Sequence, residues 1–205
     1  MGPRRILAGL VLLVAVLAPS APAAAAKPPP APPTITSAVA VDSRTVDLTW
    51  TPVKGADHYV VWATTLAPIS TTATSARVSG LYPGDLHAFY VVAETRRNQP
   101  LGTSAWVYAA TPPEGPTGPL GWVDGEDARE GHVHLWSSPG IGCVTYDLGV
   151  LGADGTYGSL GLLQAEPDWW AAQDAGTTAT YSVRCQGSGG LWSGWSAWPT
   201  VVTAT

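Results

Sequence analysis

The chain has 205 residues and a formal charge of −5, from 10 Lys and Arg against 15 Asp and Glu. Its 23 Gly and 19 Pro exclude long helices. The acidic balance and the lack of a basic stripe exclude a nucleic-acid binder, and a 45% hydrophobic content excludes wholesale disorder.

Residues 1–26 read as a secretory signal. Arg4 and Arg5 precede an apolar run from Ile6 to Leu17, and Ala24-Ala25-Ala26 supplies an A-x-A cleavage site. The run is too short for a membrane-spanning helix, which needs roughly 20 residues. No other apolar run reaches that length, so no membrane span is expected in the mature chain. Cleavage would remove two arginines and take the charge from −5 to −7. Residues 27–33, Lys-Pro-Pro-Pro-Ala-Pro-Pro, read as an extended polyproline linker. Asn98 stands outside any N-x-S/T sequon, which excludes N-glycosylation.

From Thr34 the pattern turns to period two. Val46, Leu48 and Trp50 alternate with polar neighbours, followed by Tyr59, Val61 and Ala63 on a second strand. Val78 and Leu81 lead into a Pro83-Gly84 turn, and Phe89, Val91 and Ala93 alternate along a long strand. Trp106, Tyr108 and Ala110 close the unit before Thr111-Pro112-Pro113. Glu114-Gly115-Pro116 is a breaker-rich boundary. Beyond it, Trp136, then Tyr146, Leu148 and Val150, and then Tyr181, Val183 and Cys185 repeat the pattern. The expected fold class is all-β, with two tandem antiparallel sandwiches of immunoglobulin-like type over 34–112 and 116–205.

The first unit resembles a fibronectin type III module. The resemblance rests on Leu48-Thr49-Trp50-Thr51-Pro52, Tyr59, Gly80-Leu81-Tyr82-Pro83-Gly84, Phe89-Tyr90-Val91-Val92-Ala93 and Ser104. The second unit resembles a divergent module of the same family, with Trp136 in the core role of Trp50. The family's corner tyrosine is His87 in the first unit and Ala179 in the second. That implies the loss of one side-chain to backbone hydrogen bond, worth about 1 kcal/mol if unreplaced.

Cys143 and Cys185 both fall in the second unit, on strands that are neighbours in the expected fold. A secretory signal places them in an oxidising compartment, so they are expected to form a disulfide. The chain-entropy model gives such a loop up to ~4 kcal/mol.

Trp192-Ser193-Gly194-Trp195-Ser196-Ala197-Trp198 resembles the W-S-x-W-S signature of class I cytokine receptors, in which tryptophans sandwich arginines of the preceding strand. Trp192, Ser193, Trp195 and Ser196 match that signature, and Arg184 matches an arginine of the ladder, with Trp198 extending it. A guanidinium over an indole gains about 0.5–2 kcal/mol. Only one of the outward positions Ser182, Arg184 and Gln186 is cationic, so a short ladder bracing the last strand is expected. The first unit lacks the paired disulfides of those receptors.

Three other features are weighed for binding. Trp169 and Trp170 follow Glu166-Pro167-Asp168, where Pro167, Asp168 and Gly176 mark one or two helical turns. Both tryptophans are candidate ligand-surface residues able to stack on sugar rings, although adjacent residues cannot both face the core. Arg96 and Arg97 form a charged loop tip before the last strand of the first unit, a second candidate surface. His132 and His134 share a strand face and are weak metal-ligand candidates near Asp124, Glu126, Asp127 and Glu130. No metal or cofactor is expected.

Nucleophile-elbow, Walker, dinucleotide-binding and zinc-protease motifs are absent, so a non-enzymatic protein is expected. The sequence reads as a secreted, monomeric extracellular binding or adhesion protein, whose partner is an extracellular protein or a polysaccharide. A carbohydrate-binding accessory module and a soluble receptor-like ligand binder are the alternatives.

Overall fold

Inward and outward side chains follow the alternation of apolar and polar residues along each strand. The computed structural model describes residues 30–123 and 131–205. The signal-like segment, the start of the Pro-rich linker, and Asp124, Glu126, Asp127 and Glu130 lie outside the described residues.

In the first module, β1 (Ile35–Asp42), β2 (Thr45–Trp50) and β5 (Ser75–Ser79) form an antiparallel sheet in the order β1-β2-β5. The facing sheet contains β3 (His58–Ala63), β4 (Leu66–Thr71), β6 (Leu86–Glu94), β7 (Pro100–Thr103) and β8 (Val107–Ala110). Its order is β4-β3-β6, with β7 and β8 both paired to β6. Ser104 spans the break between them: its N–H donates to the Val91 carbonyl at 2.8 Å, and its hydroxyl accepts the Val91 N–H at 2.9 Å. Val46, Leu48 and Trp50 meet Tyr59, Val61, Phe89 and Val91 in one buried core.

The second module repeats the plan. One sheet is β9 (Gly121–Val123), β10 (His132–Trp136) and β13 (Asp168–Ala172), in the order β13-β10-β9. The other contains β11 (Thr145–Leu151), β12 (Tyr157–Ser159), β14 (Thr178–Gln186) and β15 (Thr200–Thr203), in the order β12-β11-β14-β15. Its core is separate and gathers Val133, Leu135, Tyr146, Leu148, Trp169, Tyr181 and Val183.

Two expectations are corrected in this module. Trp136 is not the counterpart of Trp50: it is 39% exposed, because Val133 and Leu135 take the inward positions of β10. Its indole lies across Gly121, where any side chain would collide with the ring. The core tryptophan is Trp169, 1% exposed, whose Nε1–H donates to the Leu162 carbonyl at 2.8 Å. Nor is the segment after Pro167 helical. It is β13, pairing along β10 from His132↔Ala172 to Trp136↔Asp168. Sheet pairing outweighs the local helix-start signals, and alternation sends Trp169 and Ala171 inward and Trp170 outward.

Both corners are hydrogen-bonded despite the missing tyrosines. His87 is buried, and its Nε2 lies 2.9 Å from the Tyr82 carbonyl. A carbonyl only accepts, so this nitrogen carries the proton. The Thr111 hydroxyl donates to the same carbonyl at 3.0 Å. Histidine therefore makes the bond whose loss the sequence implied. In the second module, Gln173 Nε2 donates to the Thr177 and Val202 carbonyls at 3.0 and 3.1 Å, and Oε1 accepts the Tyr181 hydroxyl at 3.1 Å. Burial pushes the Tyr181 phenol above its ordinary pKa.

Candidate functional site

The outer face of the first module's larger sheet carries a row of aromatic rings. Tyr59 and Val61 point inward from β3, so Trp62 points outward; Phe89 and Val91 do the same for Tyr90 on β6. Trp62 and Tyr90 are register partners, with parallel rings 6.0 Å apart. Trp106 packs on Tyr90 at 4.5 Å. Tyr108, paired with Ala88, continues the face. Trp62, Trp106 and Tyr108 are exposed, the last two by 53% and 62%. Val60, Ala88 and Val92 complete an uncharged surface on the two central strands, and the His58–Glu94 pair, 3.2 Å apart, marks its charged end. The sequence reading took Trp106 and Tyr108 only as closing the unit; inward Ala109 was the sign that both face out.

In the second module an aromatic row stands on the smaller sheet instead, formed by Trp170, His134 and Trp136 and closed by a His134–Asp168 hydrogen bond. His134 stacks on Trp170 at 4.4 Å, tilts against Trp136 at 5.3 Å, and places Nε2 2.6 Å from Asp168 Oδ1. Asp168 and Trp170 are two apart on β13, so both reach the face on which His134 stands.

The tryptophan motif lies along β14. Arg184 holds its guanidinium 4.8 Å from the Trp192 ring and 4.4 Å from the Trp195 ring. The Ser193 and Ser196 N–H groups donate to the Cys185 and Val183 carbonyls at 2.7 and 2.8 Å. The Ser193 hydroxyl accepts the Cys185 N–H at 3.0 Å, and Ser182 donates to the Ser196 carbonyl at 3.2 Å. Trp195 covers Gly149 of β11, where a side chain would strike its ring. Trp198 is 60% exposed and stands outside the Arg184 sandwich. Asp147 was not singled out from the sequence. It is 1% exposed on β11, opposite Arg184 in register, and takes Arg184 Nε at 3.0 Å and the Ser159 hydroxyl at 2.6 Å. Inward Tyr146 and Leu148 placed it on the outer face, which was the available signal.

The remaining candidates are dispersed. Trp169 is no ligand surface, being a core residue. Arg96 and Arg97 are exposed in the β6–β7 turn, where Asn98 adopts φ +56°. His132 and His134 both stand on β10, and no group of three metal-ligating side chains is present among the described residues. Cys143 and Cys185 form a disulfide across Cα atoms 5.5 Å apart. Between the modules lies an open cleft of about 470 Å³, lined by Tyr82, Asp85, Ile141, Val144, Tyr146 and Ser188.

The architecture defines an all-β chain with the fold of two tandem fibronectin type III modules. A solved two-module fibronectin type III segment of chicken tenascin is similar to it at 14% identity, with a TM-score of 0.53 over 86% of this chain and 100% of that one. No family model matches the sequence. No curated protein matches it either.

Proposed function

We propose that the chain is a secreted, non-enzymatic extracellular binding or adhesion protein whose contact surface is the outer face of the first module. The observation carrying this reading is the exposed row Trp62–Tyr90–Trp106–Tyr108 on a rigid sheet. Aromatic anchors dominate binding energy at interfaces, and rings already packed on one another lose little side-chain entropy when a partner covers them. A disulfide suits an oxidising compartment, consistent with the signal-like start of the sequence. The W-S-x-W-S segment serves as a brace in this reading: it ties the last segment to β14 through serine hydroxyls and one arginine.

A polysaccharide is the second reading, favoured by the uncharged surface of Val60, Ala88 and Val92 around the rings, with the Glu94 carboxylate kept to its end. Flat apolar rings can stack on sugar rings without desolvating a charge. Binding to insoluble cellulose and chitin, set beside binding to plates coated with collagen, tests both readings. Retention on any of these surfaces, reduced at least tenfold in Trp62→Ala/Trp106→Ala, is the expected result. Retention on collagen alone would remove the polysaccharide reading. Retention unchanged in the double variant would remove the proposed surface.

A further inference from the structure

We propose that the Cys143–Cys185 disulfide acts as the clasp of a rigid joint between the two modules. The Pro83-Gly84 turn of the first module fits against two glycines of the second. A methyl group added at Gly142 would fall on the Pro83 carbonyl, and one at Gly187 on the Gly84 carbonyl. One added at Gly84 would fall on the Gly142 carbonyl. Gly84 and Gly142 adopt φ of +73° and +78°, which favours glycine on conformational grounds as well. The contact is backbone on backbone, so no side chain can rotate away to absorb a shift.

The disulfide stands beside both jaws of this clamp. Cys143 directly follows Gly142, and Cys185 lies two residues before Gly187. Bonding them fixes the separation between the loop that carries Gly142 and the end of β14 that leads to Gly187. Hydrogen bonds then fasten the inserted turn. Gly189 N–H donates to the Gly84 carbonyl at 2.9 Å, and the Ser188 hydroxyl lies 3.2 Å from that carbonyl and 3.0 Å from Asp85 Oδ1.

The connecting segment is held from both modules as well. Glu114 N–H donates to the Ile141 carbonyl at 3.0 Å, while its carboxylate accepts Arg44 of the first module at 2.6 and 3.2 Å. Cys143 Sγ lies 3.6 Å from the Glu114 carbonyl oxygen, so the clasp touches the connector too. The breaker-rich boundary Glu114-Gly115-Pro116 is thereby a fastened one.

Residual dipolar couplings on the intact, isotope-labelled chain test the proposal. A rigid joint gives one alignment tensor for both modules; a free joint gives two. Three changes are compared with the oxidised chain. The first is reduction by excess dithiothreitol, in which the disulfide takes two electrons and two protons to become two thiols while the reagent closes to its cyclic disulfide. The second is Cys143→Ala/Cys185→Val, which keeps an apolar side chain at the buried Cys185 and the half-buried Cys143 positions. The third is Gly187→Ala, which keeps the disulfide and drives the jaw off Gly84.

One tensor for the oxidised chain and two for each altered chain, with the amide dispersion of Leu135, Val183 and Phe89 preserved, is the expected outcome. A single unchanged tensor in the reduced chain or in Cys143→Ala/Cys185→Val overturns the clasp. Collapse of the second module's own spectrum in both disulfide-lacking forms overturns it equally, because the bond would then serve that sandwich rather than the joint. Gly187→Ala retaining one tensor overturns the clamp on which the argument rests.

Discussion

The two modules reach a related plan, three strands on five in the first and three on four in the second, with different pins. The first places its core tryptophan, Trp50, on β2, leaves its Nε1 without a hydrogen-bond partner, and contains no cysteine. The second places Trp169 on β13, pairs its Nε1 with Leu162, and adds a disulfide and an arginine sandwiched by two indoles. Their outer faces differ in the same sense. The aromatic row on the larger sheet of the first module is open and uncharged at its centre, whereas the row on the smaller sheet of the second is closed by His134 and Asp168 and covers Gly121. Trp192, Trp195, His134 and Trp170 of the second module are engaged within that module, whereas Trp62, Trp106 and Tyr108 of the first stay exposed.

The comparison breaks most sharply at the paired tryptophans of β13. Trp169→Ala is expected to cost the second module about 3–5 kcal/mol, and Trp170→Ala about 1 kcal/mol or less, since its ring stands on the outer face and stacks on His134. Denaturant unfolding followed through module-specific amide signals reads both values. Comparable losses for the two variants would contradict the assignment of Trp169 to the core.

Arg184→Ala comes next, at roughly 3 kcal/mol, because it leaves the buried Asp147 carboxylate without its cation as well as parting Trp192 from Trp195. The loss is confined to the second module. An unaltered melting temperature would mean that the arginine sandwich is an ornament of the surface.

Phenylalanine in place of each core tryptophan sharpens the contrast further. Trp169→Phe strands the Leu162 carbonyl, whereas Trp50→Phe removes a buried N–H that had no partner. The first-module variant is therefore expected to be less costly by about 1–2 kcal/mol. Equal costs would remove this distinction between the cores.

The smallest effect is on acidification, and it falls at the joint. The Arg44 hydrogen bond holds Glu114 below its ordinary pKa, and the Leu86 N–H, followed by the Ser188 hydroxyl, does so for Asp85. Carboxyls depressed by folding contribute fully above their unfolded values of 4.5 and 3.8, and that contribution is lost as pH falls through the lower folded values. Both groups are solvent-facing, so the change is small. Exchange of the Gly189 amide, corrected for intrinsic rate, is expected to quicken at pH 3 relative to pH 6 while core amides hold.

Strand alternation made most of this architecture legible before any coordinates. Val46, Leu48, Trp50, Tyr59, Val61, Phe89 and Val91 stand out in the sequence as one parity of period-two strands, and they are buried. What misled was analogy between the modules: Trp136 occupies the strand of Trp50 but the opposite parity. Composition near a proline also misled at β13, where pairing with β10 decided the matter. The aromatic row was readable in principle, since every inward residue on β3, β6 and β8 implies an outward neighbour. The joint was not, because backbone contacts among glycines distant in sequence leave no periodic trace.

Oxidative footprinting of the tryptophans, with mass spectrometric readout, tests most directly the claim that the first module carries the contact surface. The chain would be footprinted free and while bound to whichever of cellulose, chitin or collagen retains it. Protection of Trp62 and Trp106 on binding, with Trp136, Trp170 and Trp198 oxidised as in the free chain, is the predicted result. Protection of the second-module tryptophans with Trp62 and Trp106 still oxidised would contradict it.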